Sequence, residues 1–123
     1  MSITGAHVII YSNDAEADRV FIRDVLGFDA VDAGGGWLIF ALPPAELAVH
    51  PTEAAGAHEL YLMCDDITAL VDDLAAKDVE IVRPVSDEGW GLLASFRLPS
   101  GAVQPVYQPR HQVAHDGDLD HDR

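Results

Sequence analysis

The sequence predicts an α+β fold in which a strand–helix–three-strand (βαβββ) unit occurs twice within one domain, residues 1–110. The chain has 123 residues, of which 49% are hydrophobic, and this is enough to bury a single core. A strand pattern followed by a helical pattern occurs near the start and again in the middle of the chain. His7–Tyr11 aligns with Glu59–Met63, and Asp14 aligns with Asp66 before the second helix. These observations indicate an internal repeat.

The first predicted unit covers residues 5–51. It opens with a continuous β-branched strand and then Asp14, which supplies helix N-cap chemistry. The amphipathic helix that follows ends at Gly27, and Gly34–Gly36 forms a turn. Strands are predicted at 6–11, 28–32, 37–42 and 46–50.

The second predicted unit covers residues 58–109 and follows a linker rich in small residues. Its helix begins at Asp65-Asp66, and Pro84 follows its second strand. Strands are predicted at 59–64, 79–83, 90–98 and 102–107. Because one such unit cannot bury both faces of its sheet, two units are expected to pack together, within one chain or between two chains.

The charge and cysteine content exclude several classes of protein. The chain carries 21 Asp and Glu against 7 Lys and Arg, a net charge of -14. This excludes general nucleic-acid binding and disfavours docking on an anionic membrane. The single cysteine excludes an internal disulfide framework and a cysteine-rich zinc site. With no membrane-length apolar run and no signal-like start, we expect a cytoplasmic protein without membrane or nucleic-acid partners.

The last thirteen residues, 111–123, contain almost no apolar side chains. We expect a disordered, solvated acidic tail, in which the three histidines bind metal weakly at most.

The order of several short motifs resembles that of the vicinal oxygen chelate superfamily, which contains glyoxalases, bleomycin-resistance proteins and extradiol dioxygenases. The motifs are a first-strand histidine, acidic helix starts, Leu26-Gly27-Phe28, and the ending Leu98–Gly101 through Val106–Pro109. The resemblance covers about residues 5–109. It implies two βαβββ modules in a curved eight-stranded mixed sheet around a cavity, and a homodimer as the assembly.

The same resemblance implies a metal site in the cavity. The superfamily's ligand positions fall on His7, Glu46, Glu59 and Pro105, and proline has no side-chain ligand. His50 is an alternative ligand. Strand alternation separately places His7, Glu46 and Glu59 opposite the aliphatic faces of their strands. Imidazole and carboxylates suit Zn, Fe, Mn, Co or Ni, so the expected cofactor is a divalent metal of undefined identity.

Each candidate ligand also has a structural interpretation. His7 is equally compatible with a hydrogen-bonded core or rim residue, and Glu46 with a solvated strand start. Glu59 could instead pair with a nearby base or face solvent, and His50 stands at a strand exit before Pro51.

Further site candidates come from the neighbouring aromatic and acidic residues. Glu59 is a candidate for proton transfer, and the hydroxyl of Tyr61, on the same strand face, for binding a substrate oxygen. The candidate substrate-binding wall consists of Trp37, Phe40 and Trp90. The alternative for these three is packing in the core or in a dimer.

Two functions follow from these candidates. The preferred hypothesis is a metal-dependent lyase, isomerase or dioxygenase that chelates a small molecule through vicinal oxygens, although glyoxalase activity itself is disfavoured by the incomplete ligand set. The alternative is a metal-free protein that binds or sequesters a small molecule, as bleomycin-resistance proteins do. Pro105 supports this alternative, and the acidic surface would favour a cationic ligand.

Overall fold

A computed structural model describes residues 7–46, 48, 50, 51, 53 and 58–110. The predicted tail at 111–123, most of the linker and the first residues of the chain lie outside the described residues. Eight elements are present in the described part: α1 (Ala15–Asp24), β1 (Ala30–Asp32), β2 (Leu38–Phe40), β3 (Leu62–Met63), α2 (Ile67–Ala76), β4 (Ile81–Asp87), β5 (Gly91–Arg97) and β6 (Val103–Pro109).

Both helices begin as the sequence predicts. The carboxylate of Asp14 accepts a hydrogen bond from the Ala17 backbone N–H, and that of Asp66 accepts one from Ala69. Each aspartate therefore satisfies one of the backbone donors left free in a first helical turn. The repeated helix starts are confirmed.

The second unit forms a four-stranded mixed sheet in the order β3-β6-β5-β4. β3 runs parallel to β6, and the pairs β5–β6 and β4–β5 are antiparallel. Sheet and helices enclose one core, in which Phe96 and Val106 of the sheet lie with Ile67 and Leu74 of α2 and Phe21 of α1. The α+β prediction is confirmed, and this unit has the complete βαβββ order.

The prediction that β4 ends before Pro84 is wrong. β4 continues through Pro84 to Asp87, with register shifts on either side of Arg83. Proline is tolerated here because, among the described residues, β4 pairs on one side only and Pro84 falls at a register shift, without a register partner in β5.

The first unit does not build its own four-stranded sheet within the described residues. β1 and β2 form a two-stranded hairpin, in which the Asp32 carboxylate accepts hydrogen bonds from Gly34 and Gly36. A first strand is predicted at 6–11; its described residues, 7–11, have no sheet partner among the described residues, and Ile9 is 61% exposed. The described strands form one sheet of two and one of four, so the eight-stranded sheet stays a prediction.

Candidate functional site

The two faces of the four-stranded sheet differ in what they contact. Leu92, Ala94 and Phe96 of β5 lie on the helix side, with Val106 of β6. Because side chains alternate along a strand, Leu93 and Ser95 of β5, Met63 of β3, and Pro105 and Tyr107 of β6 lie on the opposite face. We call this opposite face the second face. It agrees with the alternation predicted for residues 59–64.

Tyr107 lies at the centre of an aromatic cluster on the second face. Its ring meets the rings of Trp90 and Tyr61 edge to face, with centroids 5.2 and 6.1 Å away. Tyr107 itself is 9% exposed, whereas Trp90 is 46% and Tyr61 39% exposed. The cluster therefore has a fixed central ring and two flanking rings that are open to an incoming molecule.

The hydroxyl of Tyr107 reaches the first unit of the chain. It donates a hydrogen bond of 3.3 Å to Oε1 of Glu46, which is half-buried. Burial raises the pKa of Tyr107, and the charge of Glu46 and the hydrogen bond to it raise that pKa further. The phenol of Tyr107 therefore stays a neutral hydrogen-bond donor to Glu46.

A glycine makes room for the central ring. A Cβ at Gly91 would lie 3.1 Å from Cδ2 of Tyr107 and 2.7 Å from the backbone oxygen of Gln108. A side chain at this position would thus displace the ring or separate β5 from β6.

Two predicted site residues, Glu46 and Tyr61, and the predicted wall residue Trp90 are brought together with Tyr107. The remaining wall candidates lie in the β1–β2 hairpin: Phe40 is half-buried, and the ring of Trp37 lies under the Arg19 guanidinium, 4.6 Å from its centroid. Trp37 thus makes a cation–π contact with α1.

The candidate metal ligands are not grouped within one copy of the chain. His7, His50 and Glu59 are exposed, and Glu46 accepts the Tyr107 hydroxyl. Among the described residues, which include all four, no three His, Cys, Asp or Glu side chains lie close enough to hold a metal ion. A single copy therefore does not present the predicted ligand set as a site, and that set stays a prediction.

Tyr107, the central residue of the cluster, is not among the site residues predicted from the sequence. It stands two positions after Pro105, which was assigned to a ligand position, so strand alternation places both on one face. That signal was sufficient to nominate Tyr107. Its partner Glu46 lies 61 positions away, which local patterning does not reveal.

Comparison with solved structures places these features among known folds. The structure of TnmS3, an antibiotic binding protein from Streptomyces sp. CB03234, matches with 27% identity and a TM-score of 0.65, covering 89% of this chain and 98% of that one. A glyoxalase/bleomycin resistance protein from the same organism matches with 27% identity and a TM-score of 0.56, covering 79% and 93%.

A more distant structure shares the fold alone. Lactoylglutathione lyase from Agrobacterium tumefaciens matches with 17% identity and a TM-score of 0.63, covering 85% of this chain and 92% of that one. A comparison with curated proteins gave no match.

The family model agrees with the structural matches. Residues 5–104 match the model of the Glyoxalase/Bleomycin resistance protein/Dioxygenase superfamily. No helix in the described part of the chain is long and apolar enough to cross a membrane. Because this model matches residues 5–104, most of the 123 residues, the chain belongs to the Glyoxalase/Bleomycin resistance protein/Dioxygenase superfamily.

Proposed function

We propose that this chain binds a small aromatic molecule on the second face of its four-stranded sheet. The observation that carries the proposal is the cluster of Tyr107, Trp90 and Tyr61, in which two partly exposed rings flank a buried one. Aromatic walls with a few fixed polar groups are typical of small-molecule sites. The similarity to an antibiotic binding protein supports the same function.

Tryptophan fluorescence tests this proposal directly, because the chain has only two tryptophans, Trp37 and Trp90. Titration with a panel of planar aromatic antibiotics should quench wild-type emission saturably. Trp37→Phe, the matched control in the β1–β2 hairpin, should keep the response, and Trp90→Phe should lose it. A saturable response that depends on Trp37 alone, or none at all, would contradict binding at the cluster.

The homodimer predicted from the sequence is part of this proposal. Several large apolar side chains of the first unit are exposed in one copy of the chain: Val8, Ile9, Tyr11, Val31 and Trp37. Apolar surface of this kind, on an extended segment and a two-stranded hairpin, marks an interaction site. A second copy would cover it and complete the site.

The oligomeric state is measurable by light scattering after size-exclusion chromatography. We expect wild type to elute with the mass of a dimer. Ile9→Asp should shift it towards monomer, whereas Thr68→Asp, which adds the same charge at an exposed position of α2, should not. A monomeric wild type, or dissociation by both variants equally, would rule out this interface.

The metal-dependent enzyme is the second candidate, and one observation favours it. Glu46, one of its predicted ligands, reaches the second face beside the aromatic cluster. Elemental analysis after exposure to Zn, Mn, Fe, Co and Ni should then show a stoichiometric metal that His7→Ala loses. The three tail histidines should be alanine in both proteins, so that they cannot mimic the site. Protein without tight metal would exclude this candidate.

A further inference from the structure

The turn that carries Trp90 connects β4 to β5, and the side chain of Asp87, the last residue of β4, shapes it. Oδ1 of Asp87 accepts a hydrogen bond of 2.9 Å from the backbone N–H of Gly89, which has a positive φ of 84°. Across the same turn, the Glu88 backbone N–H donates to the carbonyl oxygen of Gly91. A carboxylate that accepts a hydrogen bond from two positions ahead therefore fixes the course of the backbone that leads into Trp90.

The same carboxylate oxygen contacts Arg110, which directly follows β6. Nη1 of Arg110 donates a hydrogen bond of 2.6 Å to Oδ1 of Asp87. In the strand order β3-β6-β5-β4, β4 and β6 lie on opposite sides of β5, so this ion pair passes the start of β5, next to Trp90. The Arg110 backbone N–H also donates a 3.0 Å hydrogen bond to the Trp90 carbonyl oxygen. Trp90 is therefore held from β4 and from β6 at the same time.

The ion pair restrains a ring that packing alone leaves partly free. The Trp90 ring contacts Tyr107 with centroids 5.2 Å apart, yet Trp90 is 46% exposed. The hydrogen bond from Arg110, and then that from Gly89, lowers the pKa of Asp87, so its carboxylate stays charged at neutral pH. An exposed ion pair adds little to the free energy of unfolding, so its loss should affect the position of the turn more than the whole fold.

We propose that Asp87 and Arg110 are positioning residues for Trp90, and that their ion pair holds this ring in place for an incoming aromatic ligand. The proposal rests on the proposed small-molecule function and deepens it, because it names what prepares the exposed ring for binding. A side chain that is already held in place loses less conformational entropy when a ligand binds. The ion pair should therefore strengthen binding without contacting the ligand.

Trp90 fluorescence measures the position of the ring without any ligand. In the Trp37→Phe background Trp90 is the remaining tryptophan, so its anisotropy and its quenching by acrylamide describe this ring alone. We expect Arg110→Gln to lower the anisotropy and to raise the quenching. Asp87→Asn should do the same, although the asparagine oxygen can still accept the Gly89 N–H. Arg110→Lys, which keeps the charge, should restore part of the original signal.

The effect on binding is measured by calorimetry with naphthylmethanol, an aromatic probe without charge, so that the changed charge of a variant does not attract or repel it directly. We expect Arg110→Gln and Asp87→Asn each to weaken its binding about two- to fivefold, the range that one exposed ion pair can account for. The double variant should bind no more weakly than either single variant, because all three lose the same interaction.

Arg97→Gln is the matched control. The ion pair of Arg97 with Glu80 is also exposed, and it lies at the opposite end of β5 from Trp90. Its loss should leave the Trp90 anisotropy, the acrylamide quenching and the affinity for naphthylmethanol unchanged. Urea unfolding of all variants should confirm that each stays folded under the conditions of the binding experiment.

The outcomes separate this inference from the function on which it rests. Unchanged Trp90 signals in Arg110→Gln and Asp87→Asn, or changed signals with unchanged affinity, would overturn the positioning role and leave aromatic binding intact. An equal effect of Arg97→Gln would overturn it too, because it would show a response to net charge or to overall stability. Absence of saturable binding of both naphthylmethanol and the antibiotic panel by wild type would overturn the proposed function.

Discussion

At the scale of single residues, Tyr107 connects the two halves of the chain. Its ring is buried on the sheet that the second unit builds, and its hydroxyl bonds to Glu46 of the first unit. The Cys64 thiol is also partly buried, with its pKa raised mainly by that burial, but it lies on the helix side among core residues. Of these two groups, only Tyr107 faces the candidate site.

The raised pKa of Tyr107 predicts a loss of stability at alkaline pH. The folded protein retains the phenol proton above about pH 10, where the unfolded chain has released it. Stability should therefore fall as pH rises through that region and towards the folded pKa. Tyr107→Phe should show a shallower decline in urea midpoint between neutral and strongly alkaline pH.

Ultraviolet titration of tyrosinate gives an independent check. Subtracting the titration curve of Tyr107→Phe from that of wild type leaves the tyrosinate absorbance of Tyr107, without that of the other two tyrosines. Glu46→Gln should bring its midpoint down, because the carboxylate charge and the accepted hydrogen bond both favour the neutral phenol. An unchanged midpoint would show that Glu46 does not interact with it in solution.

Asp78 holds a backbone conformation that suits glycine. It is the one non-glycine residue in the described part of the chain with a positive φ, at 62°. It follows α2 in a Schellman arrangement, in which Val79 N–H bonds to Leu74 O and Asp78 N–H to Ala75 O. Asp78→Gly should therefore stabilise the protein by about 0.5–1 kcal/mol.

Chemical unfolding of Asp78→Gly and Asp78→Ala provides the measurement. Alanine lacks both the freedom of glycine and the local hydrogen bonding of aspartate, so it should be no more stable than wild type. An alanine variant as stable as the glycine variant would mean that backbone strain at this position is not the cause.

At the scale of elements, α1 is attached to the second unit by apolar and polar contacts. Phe21 packs on Phe96 with ring centroids 6.1 Å apart, and Asp18 accepts a 3.0 Å hydrogen bond from the Ser100 backbone N–H. Asp18 is only 4% exposed, and its Oδ2 has no hydrogen-bond partner in the described part of the chain. The α1 helix thus contacts the β5–β6 turn through a buried carboxylate.

Removal of that carboxylate should weaken the attachment. Asp18→Ala leaves the Ser100 N–H without an acceptor in a partly buried place, which costs about 1–3 kcal/mol. Asp18→Asn keeps one acceptor and should lose less. Urea unfolding compares the three proteins, and hydrogen exchange at Ser100 should rise selectively in Asp18→Ala. Equal unfolding midpoints for Asp18→Ala and wild type would show that the hydrogen bond between Asp18 and Ser100 contributes nothing to stability.

At the scale of the whole molecule, the charge imbalance opposes folding. A net charge of -14 on 123 residues creates self-repulsion in the compact state. The described ion pairs, such as Arg110–Asp87 and Arg97–Glu80, are largely exposed, and exposed pairs stabilise little. Salt screens both the self-repulsion and the attraction within the ion pairs, and we expect the repulsion to be the larger of the two effects on stability.

The thermal midpoint should therefore rise as sodium chloride is increased from low to physiological ionic strength, where the screening length falls below about 10 Å. Potassium chloride at the same ionic strength is the control for specific ion effects. A midpoint that falls with salt would indicate that the ion pairs outweigh the repulsion.

Part of the fold follows from local sequence patterns, such as helix caps and strand alternation. Asp14 and Asp66 cap their helices because a carboxylate needs only a backbone N–H three positions away. Alternation along residues 59–64 correctly separated Leu62 and Cys64, on the core side, from Tyr61 and Met63. Such features depend on residues that are close in the chain, so they can be predicted from the sequence.

Other features depend on which distant segments meet. The α+β class, the two helix starts and the alternating faces of residues 59–64 could be predicted from the sequence, because they follow the short periods of helix and strand. The contacts of Glu46 with Tyr107 and of Asp18 with Ser100 could not be predicted in this way. Nor could the lack of a sheet partner for residues 7–11 among the described residues. Each of these results from packing between segments far apart in the chain, which local periodicity does not encode.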